Sequence, residues 1–289
     1  MQPIFDEGLV VQHKKRAVAA AAAGAGFLLD RAVGDLAERL STLNRQFAEA
    51  AAVFCHTAAA RETLLASGKA GSAVRVELDQ SLLGKDGGLV GGFDSIPLAP
   101  ASIDLAVSLL SLHEANDLPG TLIQIRSALR PDGLFLASIA GGGTLGELRE
   151  SLLAAETELF GGASPRVAPF TDVRDAGALL QRAGFALPVA DVESITVRYD
   201  TMFGLLRDLR AMGASNALAA RSRRPASRRL FTRAAEIYAE RFSDPDGRIR
   251  ATFSFVWMSG WSPDASQQKP LKPGSGQVSL ADLLDKRMK

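Results

Sequence analysis

Several kinds of ready-made chemistry are missing from this sequence. It has one cysteine, Cys55, so no internal disulfide can form and no cysteine cluster can hold a metal. Its three histidines, His13, His56 and His113, are too few for a His-rich metal site, and no 2-His-1-carboxylate spacing for iron is visible; no metal is expected. Neither sign of charge dominates: 33 Lys+Arg against 32 Asp+Glu leave a net charge of +1. That excludes a protein whose whole surface is a nucleic-acid or membrane footprint. No run of about 20 strongly apolar residues occurs, so no membrane span is expected. The basic, then alanine-rich stretch 13–31 resembles a secretory leader only superficially. Its apolar part ends at Asp30-Arg31 and periodic sequence continues, so a surface helix of a cytoplasmic protein is expected. What is present suits a folded globule: 47% hydrophobic and 22% charged residues.

The apolar spacing predicts helix over 14–46, a buried strand over 50–56 and helix over 57–68, with Gly68 as its stop. Further strands are expected at 73–79, within 88–98, within 101–114 and at 134–140, with a helix over 116–133 capped by Asn116 or Asp117. Beyond 144 the sequence predicts helices at 144–162 and 172–185, a strand at 193–200, interrupted helix over 202–242, and a half-exposed strand at 251–261. This rhythm implies a doubly wound α/β sheet, and strands without alternation imply parallel pairing. Ligands of such sheets lie beyond the carboxyl ends of the strands. That singles out Cys55-His56-Thr57, Asp79, Phe93-Asp94, Ser111 to Glu114 and Gly141 to Thr144. The domain layout expected is a helical segment over 1–46, an α/β domain over 47–262 with a helical insertion at 202–242, and a tail over 263–289.

A literal G-x-G-x-x-G lies at Gly141, Gly143 and Gly146. A dinucleotide fingerprint needs a second strand ending in an acid about twenty residues later. Here helical sequence follows and Glu158 lies inside it, so nicotinamide binding is not expected. Cys55-His56 could pair a thiol with a base, but adjacent strand residues face opposite ways.

The runs SLLSLHEANDLPGTL (108–122), LRPDGLFLASIAGGGTLGELR (129–149), GGASPRVAPFTDVRDAGALLQRAGF (161–185), DLRAMGASNAL (208–218) and GWSPDASQQKPLKPGS (260–275), with IFDEGLV (4–10), resemble class I S-adenosylmethionine-dependent methyltransferases. The subgroup resembled joins a mitochondrial complex I assembly factor, described as an arginine hydroxylase, with α-proteobacterial malonyl-carrier-protein methyltransferase-like proteins. The resemblance implies a Rossmann-like sheet, S-adenosylmethionine as cofactor, and a small-molecule or protein acceptor. It implies cofactor contacts at Cys55, His56, Thr57, Asp79, Phe93, Asp94 and Ser111, and a base or orienting role for His113.

The first half departs from that pattern. The turn after the first strand should carry an acid and glycines, because a β-carbon would clash with the cofactor. AAAVFCHTAAARETL has neither, with Ala58-Ala59-Ala60 in the place expected for the glycines. Asp79 suits two ribose hydroxyls or a helix N-cap. Asp94 suits an adenine amino group or a solvated turn. His113 suits a base or a bond to the next helix cap. From Arg207 to Arg233 there are eight arginines and one acid: a solvated surface, or a docking patch for an acidic protein client. No aromatics interleave there to stack bases, so nucleic acid is not expected. Two functions remain open: a methyltransferase-like enzyme with a degenerate first cofactor motif, or a non-catalytic or hydroxylase-type assembly factor.

Overall fold

The computed structural model describes residues 2–22 and 24–268. Its sheet has seven strands in the order β3-β2-β1-β4-β5-β7-β6. The strands are β1 (Phe47–Val53), β2 (Ala70–Glu77), β3 (Leu89–Val90), β4 (Ile103–Leu109), β5 (Leu129–Ala140), β6 (Ala186–Tyr199) and β7 (Ile249–Trp261). The helices are α1 (Glu7–Ala20), α2 (Phe27–Thr42), α3 (Ala59–Ala66), α4 (Gln80–Leu83), α5 (Leu118–Ala128), α6 (Gly146–Phe160), α7 (Val173–Arg182), α8 (Met202–Ala211) and α9 (Arg228–Phe242).

β1 to β5 pair in parallel, because each connection crosses back to the same end of the sheet before the next strand starts. Apolar residues then face helices on both sides. One face packs Leu36 and Leu40 of α2, Leu64 of α3, Leu152 of α6 and Tyr238 of α9 against Leu105, Leu136 and Trp257. The other packs Leu122 and Ile125 of α5 and Leu180 of α7 against Ala106, Phe135 and Met258.

The doubly wound layout is as expected; several details differ. The helix expected over 14–46 is two helices. Asp6 caps the first, accepting from the amide of Leu9, and Ala21 ends it in the left-handed region before Gly24 and Gly26. The strand expected within 88–98 is only two residues long, since Gly92 and Ser95 close a tight turn and Pro97 cannot donate to a ladder. β5 begins at 129, not 134. β6 and β7 run antiparallel. β7 is buried on both faces rather than half-exposed, because α6 and α9 cover one face and α7 the other. Asp117 caps α5; Asn116 instead accepts from the amides of Ile4 and Phe5, both at 2.8 Å. The N-terminal segment is thereby strapped over the carboxyl rim of the sheet, with Phe5 bridged to Leu218. Of the expected tail, residues 269–289 lie outside the described residues.

Candidate active site

The ends of β2, β1 and β4 open on one rim, and the first turn on that rim is β1 to α3. Two of its residues, Phe54 (φ 55°) and His56 (φ 62°), occupy the left-handed region, where a β-carbon costs roughly 1–2 kcal/mol. These are the positions at which the turn calls for glycine. Ala58, where glycines were expected, caps α3 in ordinary right-handed conformation.

Both strained side chains point into the rim. Phe54 is fully buried, its ring edge-on to Phe93 at 4.9 Å. Phe93 is fixed from α5, whose Thr121 and Gln124 side chains donate to its carbonyl. His56 Nε2 lies 3.0 Å from Ser111 Oγ, so a bond spans the gap between the β1 and β4 turns. Burial, with Lys14 and His113 adding to it, holds the His56 imidazole well below its usual value, hence neutral. Beneath the turn Glu77 is wholly buried beside Arg75, 3.3 Å away. Burial pushes the Glu77 carboxyl up to about 7, against the pull of Arg75 and the His56 amide. Burial also pushes the Cys55 thiol up, so it is no nucleophile at neutral pH.

Asp79 is at the rim, but its carboxylate is engaged. Oδ1 accepts from Ser81 N and Oγ, capping α4, and Oδ2 pairs with Lys15 Nζ at 3.1 Å. Those bonds, Ser81 foremost, hold it down at about 2. The capping alternative is therefore realised, with a lysine of α1 on the other oxygen. Asp94 is exposed on its turn.

The next residues of the rim border a chamber of about 590 Å³, lined by His56, Thr57, His113, Glu114, Phe170 and apolar side chains of α1, α2, α6 and α8. Cys55, Asp79, Phe93, Asp94 and Ser111 do not line it. His113 Nδ1 accepts from the Ala140 amide at 3.4 Å and its ring tilts against Phe170. Burial, then Lys14, pushes His113 down to about 3. Lys14 Nζ approaches Glu114 at 3.2 Å with both side chains at or below 10% exposed. Lys14, Lys15, Phe54 and Glu77 escape sequence reasoning; the one available signal is Arg75 and Glu77, alternating with valines and so sharing a strand face. The Gly141–Gly146 turn spends its amides internally: Gly141 and Leu145 donate to Ser254 and Thr252 of β7, and Gly142 to Thr171. Among the described residues no group of three or more His, Cys, Asp or Glu side chains is placed to hold a metal.

Residues 49–137, which span β1 to β5 and this rim, match the family described as "Methyltransferase domain". That stretch of the chain is similar to a methyltransferase domain. It is 45% identical over 188 residues to the zebrafish (Danio rerio) arginine-hydroxylase NDUFAF5, mitochondrial, covering 65% of this chain and 58% of that protein. It is 38% identical over 181 residues to the malonyl-[acyl-carrier protein] O-methyltransferase of Laribacter hongkongensis, covering 63% and 58%. The aligned region thus spans less than two thirds of these curated relatives. A Bacillus halodurans crystal structure assigned as a methyltransferase superposes with a TM-score of 0.55 over 80% of this chain and 98% of that one, at 12% identity; that likeness shows the fold.

S-adenosylmethionine is the cofactor that the resemblance to methyltransferases implies. The residues at this domain's first turn do not fit its nucleoside end. The cradle that lacks β-carbons elsewhere is filled here by Phe54 against Phe93, His56 bridges to Ser111, and Asp79 is spoken for by Lys15.

Proposed function

We propose that this chain is a methyltransferase-like protein that recognises an acceptor in the chamber beside His113, with its first cofactor turn closed. The closed turn carries the reading: Phe54 and His56 hold strained backbone and fill the rim with their own side chains. Methylation of an acceptor is the activity named for the O-methyltransferase relative, which supports an acceptor held at this rim. A protein client is supported by the basic segment. Arg207, Arg210, Arg224, Arg228 and Arg229 are exposed with no carboxylate within 4 Å among the described residues, whereas Arg221 pairs with Asp6 and Arg233 with Glu158. An acidic client would be steered to that surface.

A thermal melt with S-adenosylmethionine tests the closed turn. A ligand at about 100 times its Kd stabilises by about 2.7 kcal/mol, which raises Tm by roughly 5–10 °C for a chain of this size. Millimolar cofactor is expected to leave the melt unmoved; a rise of that size overturns the reading.

A further inference from the structure

We infer that the chamber takes an aliphatic acyl compound: a long apolar chain ending in a carbonyl or carboxylate. The inference rests on the chamber being the acceptor site and names the acceptor's chemistry. A volume of about 590 Å³ falls inside the range of about 300–1,000 Å³ typical of small-molecule sites, which are apolar with a few placed polar groups. The walls are alanine, valine, leucine and phenylalanine, among them Ala17 and Val18 of α1, Leu29 of α2, Leu148 of α6 and Phe170 of the loop before α7.

The polar lining decides the head group, because most of it is already satisfied. Lys14 is neutralised by Glu114, and Arg166 by Glu156 at 2.7 Å. Thr144 donates to the Ser254 carbonyl, and Asn216 bonds to Pro165 and Leu218. His56 Nε2 is taken by Ser111. Two groups remain. His113 is neutral and accepts at Nδ1, so its proton sits on Nε2, which has no partner among the described residues. Arg210 is exposed and has no carboxylate within 4 Å among them. Both are donors. A ligand must therefore bring an acceptor, neutral or anionic. A guanidinium would meet an imidazole N–H, an arginine and a carboxylate that Lys14 already holds, and would stay unpaired at a large cost. This chemistry sets the chamber apart from an arginine-binding pocket.

Calorimetric titration of the full chain with palmitate tests the inference, with N-acetyl-arginine amide as the contrasting probe. Palmitate is expected to bind saturably and the arginine amide not to bind. Ala17→Trp, which fills the wall from an accessible helix position, is expected to weaken palmitate at least about tenfold, or 1.4 kcal/mol, with its melt retained; Ala214→Trp, on the loop after α8, is the second wall variant should the first unfold. His113→Ala is expected to weaken binding as well. No saturable palmitate binding, equal binding to the folded tryptophan variants, or preferential binding of the arginine amide overturns it. Absent palmitate binding together with an unmoved S-adenosylmethionine melt retires the acyl ligand alone and leaves the closed turn standing.

Discussion

Two non-glycine residues in the left-handed region within three positions are an unusual expense for one turn. Each costs roughly 1–2 kcal/mol, offset for Phe54 by a fully buried ring. Truncating a buried Phe to Ala ordinarily costs about 3–5 kcal/mol, and glycine ordinarily costs still more. Here the order is expected to invert: Phe54→Gly should be the more stable of the two by about 1 kcal/mol, since only glycine relieves the backbone. Urea denaturation of both variants checks it; the usual order would mean the turn is unstrained. Glu77 gives a second residue-scale expectation. Its folded-state pKa, about 7, lies above its ordinary value of 4.5. Between those values the folded protein holds a proton that the unfolded chain has released, so stability falls as pH rises through that window and levels off above it. Glu77→Gln should flatten this dependence in melts taken across it; an unchanged slope would assign it elsewhere. At this scale the sequence located His56, Asp79 and His113 on the rim from strand ends alone. It misplaced the glycine-demanding positions at Ala58-Ala59-Ala60, because backbone dihedrals are not encoded in residue type. It could not show that Asp79 is claimed by Lys15, which is 64 residues away.

At the scale of elements, the rim is held by contacts between distant pieces rather than by local propensity. Lys14 of α1 meets Glu114 in the turn after β4 with both charges desolvated. Breaking such a pair from one side costs about 3–5 kcal/mol, while replacing both partners by apolar groups is often neutral. Glu114→Gln is therefore expected to destabilise strongly, and adding Lys14→Met to restore most of the loss. A double-mutant cycle by denaturation checks this; additive losses would show the two groups uncoupled. The Asp117 cap of α5 is the simpler case: Asp117→Ala should cost about 1 kcal/mol, read as a lower denaturation midpoint with unchanged slope. Cap and turn residues made α5 and α7 readable. The break between α1 and α2 was hidden by an alanine run that suits helix on either side, and only Ala21 turning left-handed reveals it.

For the whole molecule, the doubly wound architecture was legible because 50–53 of β1, 105–109 of β4 and 134–140 of β5 carry no charged residue, as strand cores covered on both faces must. The antiparallel edge was not, since pairing direction depends on whether the chain returns by a crossover or reverses. The polar residues of β7 suggested a solvated face; instead α6 and α9 cover one face and α7 the other. The rim of this sheet holds the central claim, that Phe54 and His56 close the methyltransferase domain's cofactor turn. Calorimetric titration with S-adenosylhomocysteine, run side by side on the wild-type chain and the folded Phe54→Gly/His56→Gly variant, tests it most directly. No saturable heat is expected for wild type at millimolar ligand, and saturable binding once both side chains are removed. Micromolar binding by the wild type, with no gain in the variant, would contradict it.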